Sequence, residues 1–223
     1  FNLRPLMGLW NALYLQPGPV APQPARSAEW NRGAALVNGL GHCTACHTPR
    51  DARGGELAGT AYLAGALVDG WQAPPLGALA RGPVPWTEAA LVQYLQRGHH
   101  AEHGIAGGSM APVVQALAQA PLADVQAMAH YLVSLQLAAP AVDAQALVAH
   151  TARTHTAPLG PAQRLFESAC GACHHDGGAD GGPPVLGLNQ PLALNATLHS
   201  ARPDNLLRTI VDAWYAGAEA SAS

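Results

Sequence analysis

Two short stretches, LGHCTACHTPR at residues 40–50 and SACGACHHDGG at residues 168–178, hold all four cysteines of the chain in one arrangement, Cys-x-x-Cys-His. Cys43, Cys46 and His47 form the first and Cys170, Cys173 and His174 the second. A chain that commits every thiol in this way is built around groups held at those points. Three chemistries use such pairs. A zinc site takes four ligands, so both pairs would have to meet on one metal. Here they lie in separate repeats, Cys170 following Cys43 by 127 residues, and zinc leaves the matched placement of His47 and His174 unexplained. A thioredoxin-like redox pair belongs in a βαβ setting, which this sequence does not offer. Covalent attachment of haem c accounts for all six residues. Two thiols add across the porphyrin vinyl groups, and the adjacent histidine becomes the proximal ligand of the iron. The expectation is two haems c, held by Cys43 with Cys46 and by Cys170 with Cys173, with His47 and His174 on the irons.

Composition agrees. Aromatic residues are 5% of the 223-residue chain, while glycine (24) and proline (19) abound. Loops are therefore many and large core side chains few, and a flat apolar macrocycle supplies the missing interior. A net charge of −3, with charged residues at only 11%, excludes the basic footprint of a nucleic-acid binder. No run approaches the roughly 18 apolar residues of a membrane span.

Along the chain, Leu3, Leu6, Leu9, Trp10, Leu13 and Tyr14 follow helical spacing, which predicts an amphipathic helix docked on its own protein, with Met7 packed, the other reading being a helix that meets a membrane surface or a partner. Residues 16–26 are Pro-rich and extended, so 1–26 reads as a helix and linker. Ser27 is placed to cap a helix that leads into the first Cys pair. Thr87 caps TEAALVQYLQRG, and Gly98 stops it. ADVQAMAHYLVSLQ carries an apolar stripe of Val125, Met128, Ala129, Leu132 and Leu135. Residues 139–160 read as a low-complexity connector, after which PAQRLFESACGACHH repeats the helix-into-Cys-pair design. No alternating strand pattern stands out. The expected fold class is all-α and loop-rich: two tandem class I-like cytochrome c domains, 27–138 and 161–223, the second incomplete.

An iron that carries electrons needs a second axial ligand, and thioether sulfur stabilises the ferrous state. Met128 lies on a packing stripe and Met7 on the N-terminal helix. Met110 sits in HHAEHGIAGGSMAPVV, a Gly-rich loop from which sulfur can reach a flat ring, and is the expected distal ligand of the first haem. His99, His100 and His103 are rivals beside it. No methionine follows Cys173, so the second repeat is expected to stop before its distal loop; His199 is the remaining candidate there. Each proximal histidine should donate its other N–H to a backbone carbonyl. Pro184, with Pro183, is placed to serve His174, and Pro74 or Pro75 to serve His47.

AEWNRGAALVNGLGHCTACHTPR resembles the second haem segment of the multihaem cytochrome c subunits of membrane-associated bacterial dehydrogenases. MAPVV resembles their methionine loop, LADVQAMAHYLVSL their closing helix, and FNLRPLMGLWNALYL the piece joining their first and second haem domains. That family usually carries three CxxCH motifs, so the resemblance implies that the first haem domain and the end of the last lie outside this chain. It also implies a periplasmic, membrane-associated electron-transfer subunit. Its partners would be a catalytic subunit with a flavin, quinone or molybdenum cofactor and, as acceptor, quinone or another cytochrome. The sequence offers no nucleophile, acid–base pair or substrate-pocket signature, so the chain is not expected to be an enzyme. Two other readings stand beside this one. A di-haem enzyme such as a peroxidase needs an open distal position, against which Met110 argues; the other is a zinc-binding interaction module.

Overall fold

The computed structural model describes residues 4–78, 80, 82–153, 160–174 and 192–221, the side chains of 151–153, 172, 173 and 213–221 excepted. In chain order these form α1 (Pro5–Tyr14), α2 (Ala28–Asn38), α3 (Thr44–His47), α4 (Glu88–Arg97), α5 (Ala111–Leu117), α6 (Leu122–Ser134), α7 (Ala144–Arg153), α8 (Pro161–Ala169), α9 (Gly171–His174) and α10 (Asp204–Ser221). Two antiparallel strand pairs accompany them, β1 (Ala66–Val68) with β2 (Trp71–Ala73), and β3 (His99–His100) with β4 (Gly104–Ile105). The fold is helical and loop-rich with very little sheet, as cytochrome c domains are. The β1–β2 pair departs from the all-α expectation, and its signal is Asp69-Gly70, both at positive φ, the pair of residues that a tight hairpin turn favours.

The chain divides into two compact units, Phe1–Ala80 with Ala120–Leu137, and Arg81–Gln119 with Ala138–Ser223. The first is organised by α2 against α6. Ser27 caps α2 by accepting from the Trp30 backbone N–H at 3.0 Å. Trp30, Ala34, Leu36 and Val37 on α2 and Val125, Met128, Ala129 and Leu132 on α6 are buried, so four of the five stripe residues form the core face of the second helix, while Leu135 is half-buried at its C-cap. The Trp30 ring meets Tyr131 edge-on, centroids 4.9 Å apart, and its Nε1–H donates to Ser134 Oγ at 2.7 Å.

Gly33 sets how closely these helices approach. A Cβ there would overlap the Ala127 carbonyl oxygen and lie 2.7 Å from Tyr131 Cβ. Rigid backbone cannot yield as a side chain does, so Gly33→Ala is expected to cost about 1–3 kcal/mol or more, the range of core overpacking. Denaturant unfolding of the haem-loaded chain measures it; a stability gain, the usual result of Gly→Ala in an open helix, would contradict this close packing.

α1 is held by two side chains. Trp10 Nε1–H donates to the Arg53 carbonyl at 3.0 Å, and Tyr14 OH donates to Asp51 Oδ2 at 2.7 Å. The Tyr14 ring lies where a Cβ on Gly55 would stand. Leu6, Leu9 and Leu13 stay exposed, and so does Met7: the helix docks through its aromatic edge, and the expectation that Met7 is packed is not met.

In the second unit, Thr87 Oγ1 accepts from the Ala90 N–H at 3.1 Å to cap α4. Gly98, at φ 76°, ends it. Glycine suits this corner best: the left-handed backbone strains most side chains, and a Cβ on Gly98 would also press on Val114 Cγ1 of α5 at 3.2 Å. Within residues 139–160, read from sequence as a connector, the structure forms α7. Asp143 Oδ1 accepts from the Ala146 N–H at 2.9 Å, a cap that opens a run of good helix formers. No helix among the described residues is long and apolar enough to cross a membrane.

Candidate haem-attachment sites

After α2 the chain reverses within five residues. Gly41 N–H donates to Leu36 O at 2.7 Å and Cys43 N–H to Val37 O at 3.0 Å, with His42 in the left-handed region at φ 36°. This turn delivers Cys43 to the start of α3, a single helical turn closed by His47 N–H donating to Cys43 O at 3.0 Å. Cys43 and Cys46, three apart on that turn, share one side of it. Both are free thiols, Cys43 half-buried and Cys46 exposed. Burial pushes the Cys43 thiol up to about 11, so it is protonated at neutral pH.

His47 is 8% exposed, and its Nδ1 lies 2.7 Å from the Pro74 carbonyl oxygen. A carbonyl only accepts, so Nδ1 carries the proton and Nε2 keeps its lone pair, the tautomer a metal ligand requires. Burial lowers the imidazole pKa, the Pro74 bond opposing it. The sequence pointed to Pro74 or Pro75 for this role, and the structure selects Pro74. The segment bearing it is tied to the CxxCH turn on both flanks. Gly65 N–H donates to His47 O at 2.8 Å, and Leu63 N–H to Thr48 Oγ1 at 3.1 Å. The Leu63 carbonyl accepts from Leu76 N–H at 2.9 Å. Leu63 is fully buried at φ 52°, a conformation that persists only where the surroundings over-determine it.

Two thiols on one turn beside a neutral imidazole with a free lone pair fit haem c: two thioether links and one nitrogen for iron. They fit zinc less well. Among the described residues, Cys43, Cys46 and His47 do not draw together into a metal-binding group.

The second motif repeats the turn. α8 runs directly into Cys170, whose N–H donates to Phe166 O at 2.7 Å. α9 is closed by His174 N–H on Cys170 O at 2.9 Å, the counterpart of the His47–Cys43 bond. His174 is exposed and Cys170 half-buried. Pro183, Pro184 and His175 lie outside the described residues, as does the Cys173 side chain. His199 turns Nε2 to the Ala193 carbonyl at 2.7 Å.

Met110, half-buried, ends a 3-10 turn over Gly108–Met110 and opens α5, with Pro112 in its first turn. It belongs to the second unit and His47 to the first. Met128 is 4% exposed in the α6 core, the packing residue expected. The sequence reading did not foresee how His103 is held: it is 4% exposed, its ring stacked on Trp86 with centroids 3.5 Å apart.

No family model matches the chain. Curated relatives do. A nicotinate dehydrogenase subunit of Pseudomonas putida is 50% identical over 95% of this chain, which spans 17% of that protein. The fructose dehydrogenase cytochrome subunit of Gluconobacter japonicus is 31% identical over 95% of this chain, 46% of its own length. The gluconate 2-dehydrogenase cytochrome c subunit of Pantoea cypripedii is 38% identical over 60% of this chain, 32% of its own length. The chain thus spans less than half the length of each of these relatives. Their names do not favour the peroxidase reading, and a cytochrome c relationship implies covalently bound haem c. Over nearly its whole length the chain is thus similar to stretches of the cytochrome c subunits of bacterial dehydrogenases, each of which is more than twice as long as the part it matches.

Proposed function

We propose that this chain is an electron relay. It takes electrons from a catalytic dehydrogenase subunit and passes them toward quinone or another cytochrome, in the periplasm and at the membrane. The observation that carries this reading is the CxxCH turn at Cys43–His47, where free thiols adjoin a buried imidazole held at 2.7 Å by Pro74. Haem c, when bound, supplies reversible one-electron chemistry at iron. The residues do the rest. Cys43 and Cys46 fix one haem through thioethers, and Cys170 and Cys173 a second. His47 and His174 would offer nitrogen to the irons, and Pro184 is the residue proposed to serve His174. Met110 would offer sulfur to the first haem as its distal ligand. On this reading 27–138 and 161–223 are two cytochrome c domains, and catalysis belongs to the partner subunit, with its flavin, quinone or molybdenum cofactor.

The relay makes a sharp demand. The haem-loaded chain alone oxidises no alcohol, aldehyde or sugar acid. In the complex with its dehydrogenase subunit, the reduced-haem absorption band rises when substrate is added. Turnover by the chain alone overturns the reading, and so does a haem band that stays oxidised in the substrate-fed complex.

A further inference from the structure

The β3–β4 hairpin of the second unit carries a side-chain cluster that haem attachment leaves unused. The hairpin pairs His99 with Ile105 and His100 with Gly104, and its turn is closed by His103 N–H on His100 O at 3.1 Å. That tight turn gathers His100, Glu102 and His103 so that one ligand atom from each lies within 4.8 Å of the others. His103 is the fixed member. It is 4% exposed, clamped against Trp86 at an interplanar angle of 14°, and its Nε2 is buried with no hydrogen-bond partner. A buried polar atom in that state has given up its hydration for nothing, unless something binds there. His100 and Glu102 are half-buried beside it. The His100 Nδ1 lone pair accepts only a long 3.2 Å bond from the Glu102 N–H, which a cation can replace.

Two imidazoles and a carboxylate are the ligands that borderline divalent cations take, with water in the fourth position. Ligand atoms about 2.1 Å from a tetrahedral centre stand about 3.4 Å apart, so the set must close slightly. The less buried His100 and Glu102 side chains can rotate inward while the stacked His103 stays in place. The backbone behind them is anchored: Gly104, at φ 87°, leaves room for Asn195, whose side chain would lie 2.8 Å from a Cβ there. The hairpin base is closed by Ala106 N–H on Gly98 O at 2.7 Å.

We propose that His100, Glu102 and His103 form a binding site for a divalent cation of the zinc class. The site stands on the hairpin geometry and not on the relay reading. It lies just ahead of the Gly108–Met110 turn, so a bound cation also stiffens the segment that leads to Met110.

Calorimetric titration of the haem-loaded, chelator-treated chain with zinc chloride tests it. One zinc per chain is expected at micromolar concentration. His100→Ala and His103→Ala should each weaken binding at least about tenfold, the loss seen even when groups that merely orient ligands are removed. Glu102→Gln should weaken it as well, and His99→Ala should leave it unchanged. Since His103→Ala also strips a ring from Trp86, the variants at half-buried His100 and Glu102 decide the matter if that protein misfolds. Wild-type binding no tighter than that of a His100→Ala/Glu102→Gln double variant overturns the proposal. So does a zinc-free His103→Ala protein that loses its low-spin haem spectrum while the wild type takes up no zinc, for the buried nitrogen then belongs to iron.

Discussion

Cys43→Ala/Cys46→Ala removes one of the two proposed haems. The mass of the haem-loaded chain falls by roughly 0.6 kDa, the increment of one CxxCH attachment, and haem staining after denaturing electrophoresis drops by half. The reason lies in what each residue can hold. His47 keeps its Pro74 bond in the variant, because the carbonyl belongs to a segment tied down at Leu63 and Gly65. A nitrogen ligand remains, but a coordinate bond to one imidazole does not survive denaturation, whereas thioethers do. Alanine is the right replacement at Cys43, since a serine hydroxyl at this half-buried position risks a desolvation cost of about 1–3 kcal/mol that would confuse loss of haem with loss of fold. Cys170→Ala/Cys173→Ala should remove the other haem independently, and all four substitutions together should leave the bare polypeptide mass. A wild-type mass equal to the polypeptide plus one metal ion would sink the assignment.

How much of this was legible beforehand varies by element. The caps were readable because they are local chemistry: Ser27, Thr87 and Gly98 act within three or four residues of themselves, and each stands in the predicted role. The α6 stripe was readable because its apolar positions recur at i, i+3, i+4 and i+7 along a thirteen-residue helix, long enough for one face to stand out. The carbonyl partner of His47 was readable to within one residue, Pro74 or Pro75, because a ligating imidazole needs its second nitrogen held by a nearby backbone oxygen. The hairpins were not, being two or three residues per strand, too short for a period-two pattern, although Asp69-Gly70 marked one of them. α7 was hidden in a stretch whose monotony reads as linker, its Asp143 cap unnoticed. That α1 forms a helix and docks was readable, but which of its edges docks was not. Its apolar residues follow helical spacing, yet Trp10 and Tyr14 dock while its leucines face outward; which edge binds depends on the Asp51–Gly55 loop, far away in sequence. The stacked His103 is another non-local fact, set by Trp86.

Met110→His should lower the midpoint potential of the first haem by as much as a few hundred mV, within the roughly 0.8 V that axial ligands command, while the iron stays low-spin. Thioether sulfur is a soft donor that favours ferrous iron, and imidazole stabilises the ferric state. Met110 ends a turn that starts at Gly108, whose φ is 54°, and Pro112 follows in the first turn of α5, so the residue stands at a corner rather than inside a packed stripe. Met128 supplies the control. It is 4% exposed on α6 among Val125, Ala129 and Leu132, and Met128→Leu is a volume-conserving swap expected to cost under about 1.5 kcal/mol and to leave the haem spectrum alone. The sulfur-to-iron charge-transfer band should therefore vanish in the Met110 variant and persist in the Met128 variant. The converse pattern would move the ligand into the α6 core. An unchanged potential in Met110→His would return the distal position to the neighbouring histidines, and the relay would then work at a markedly lower potential.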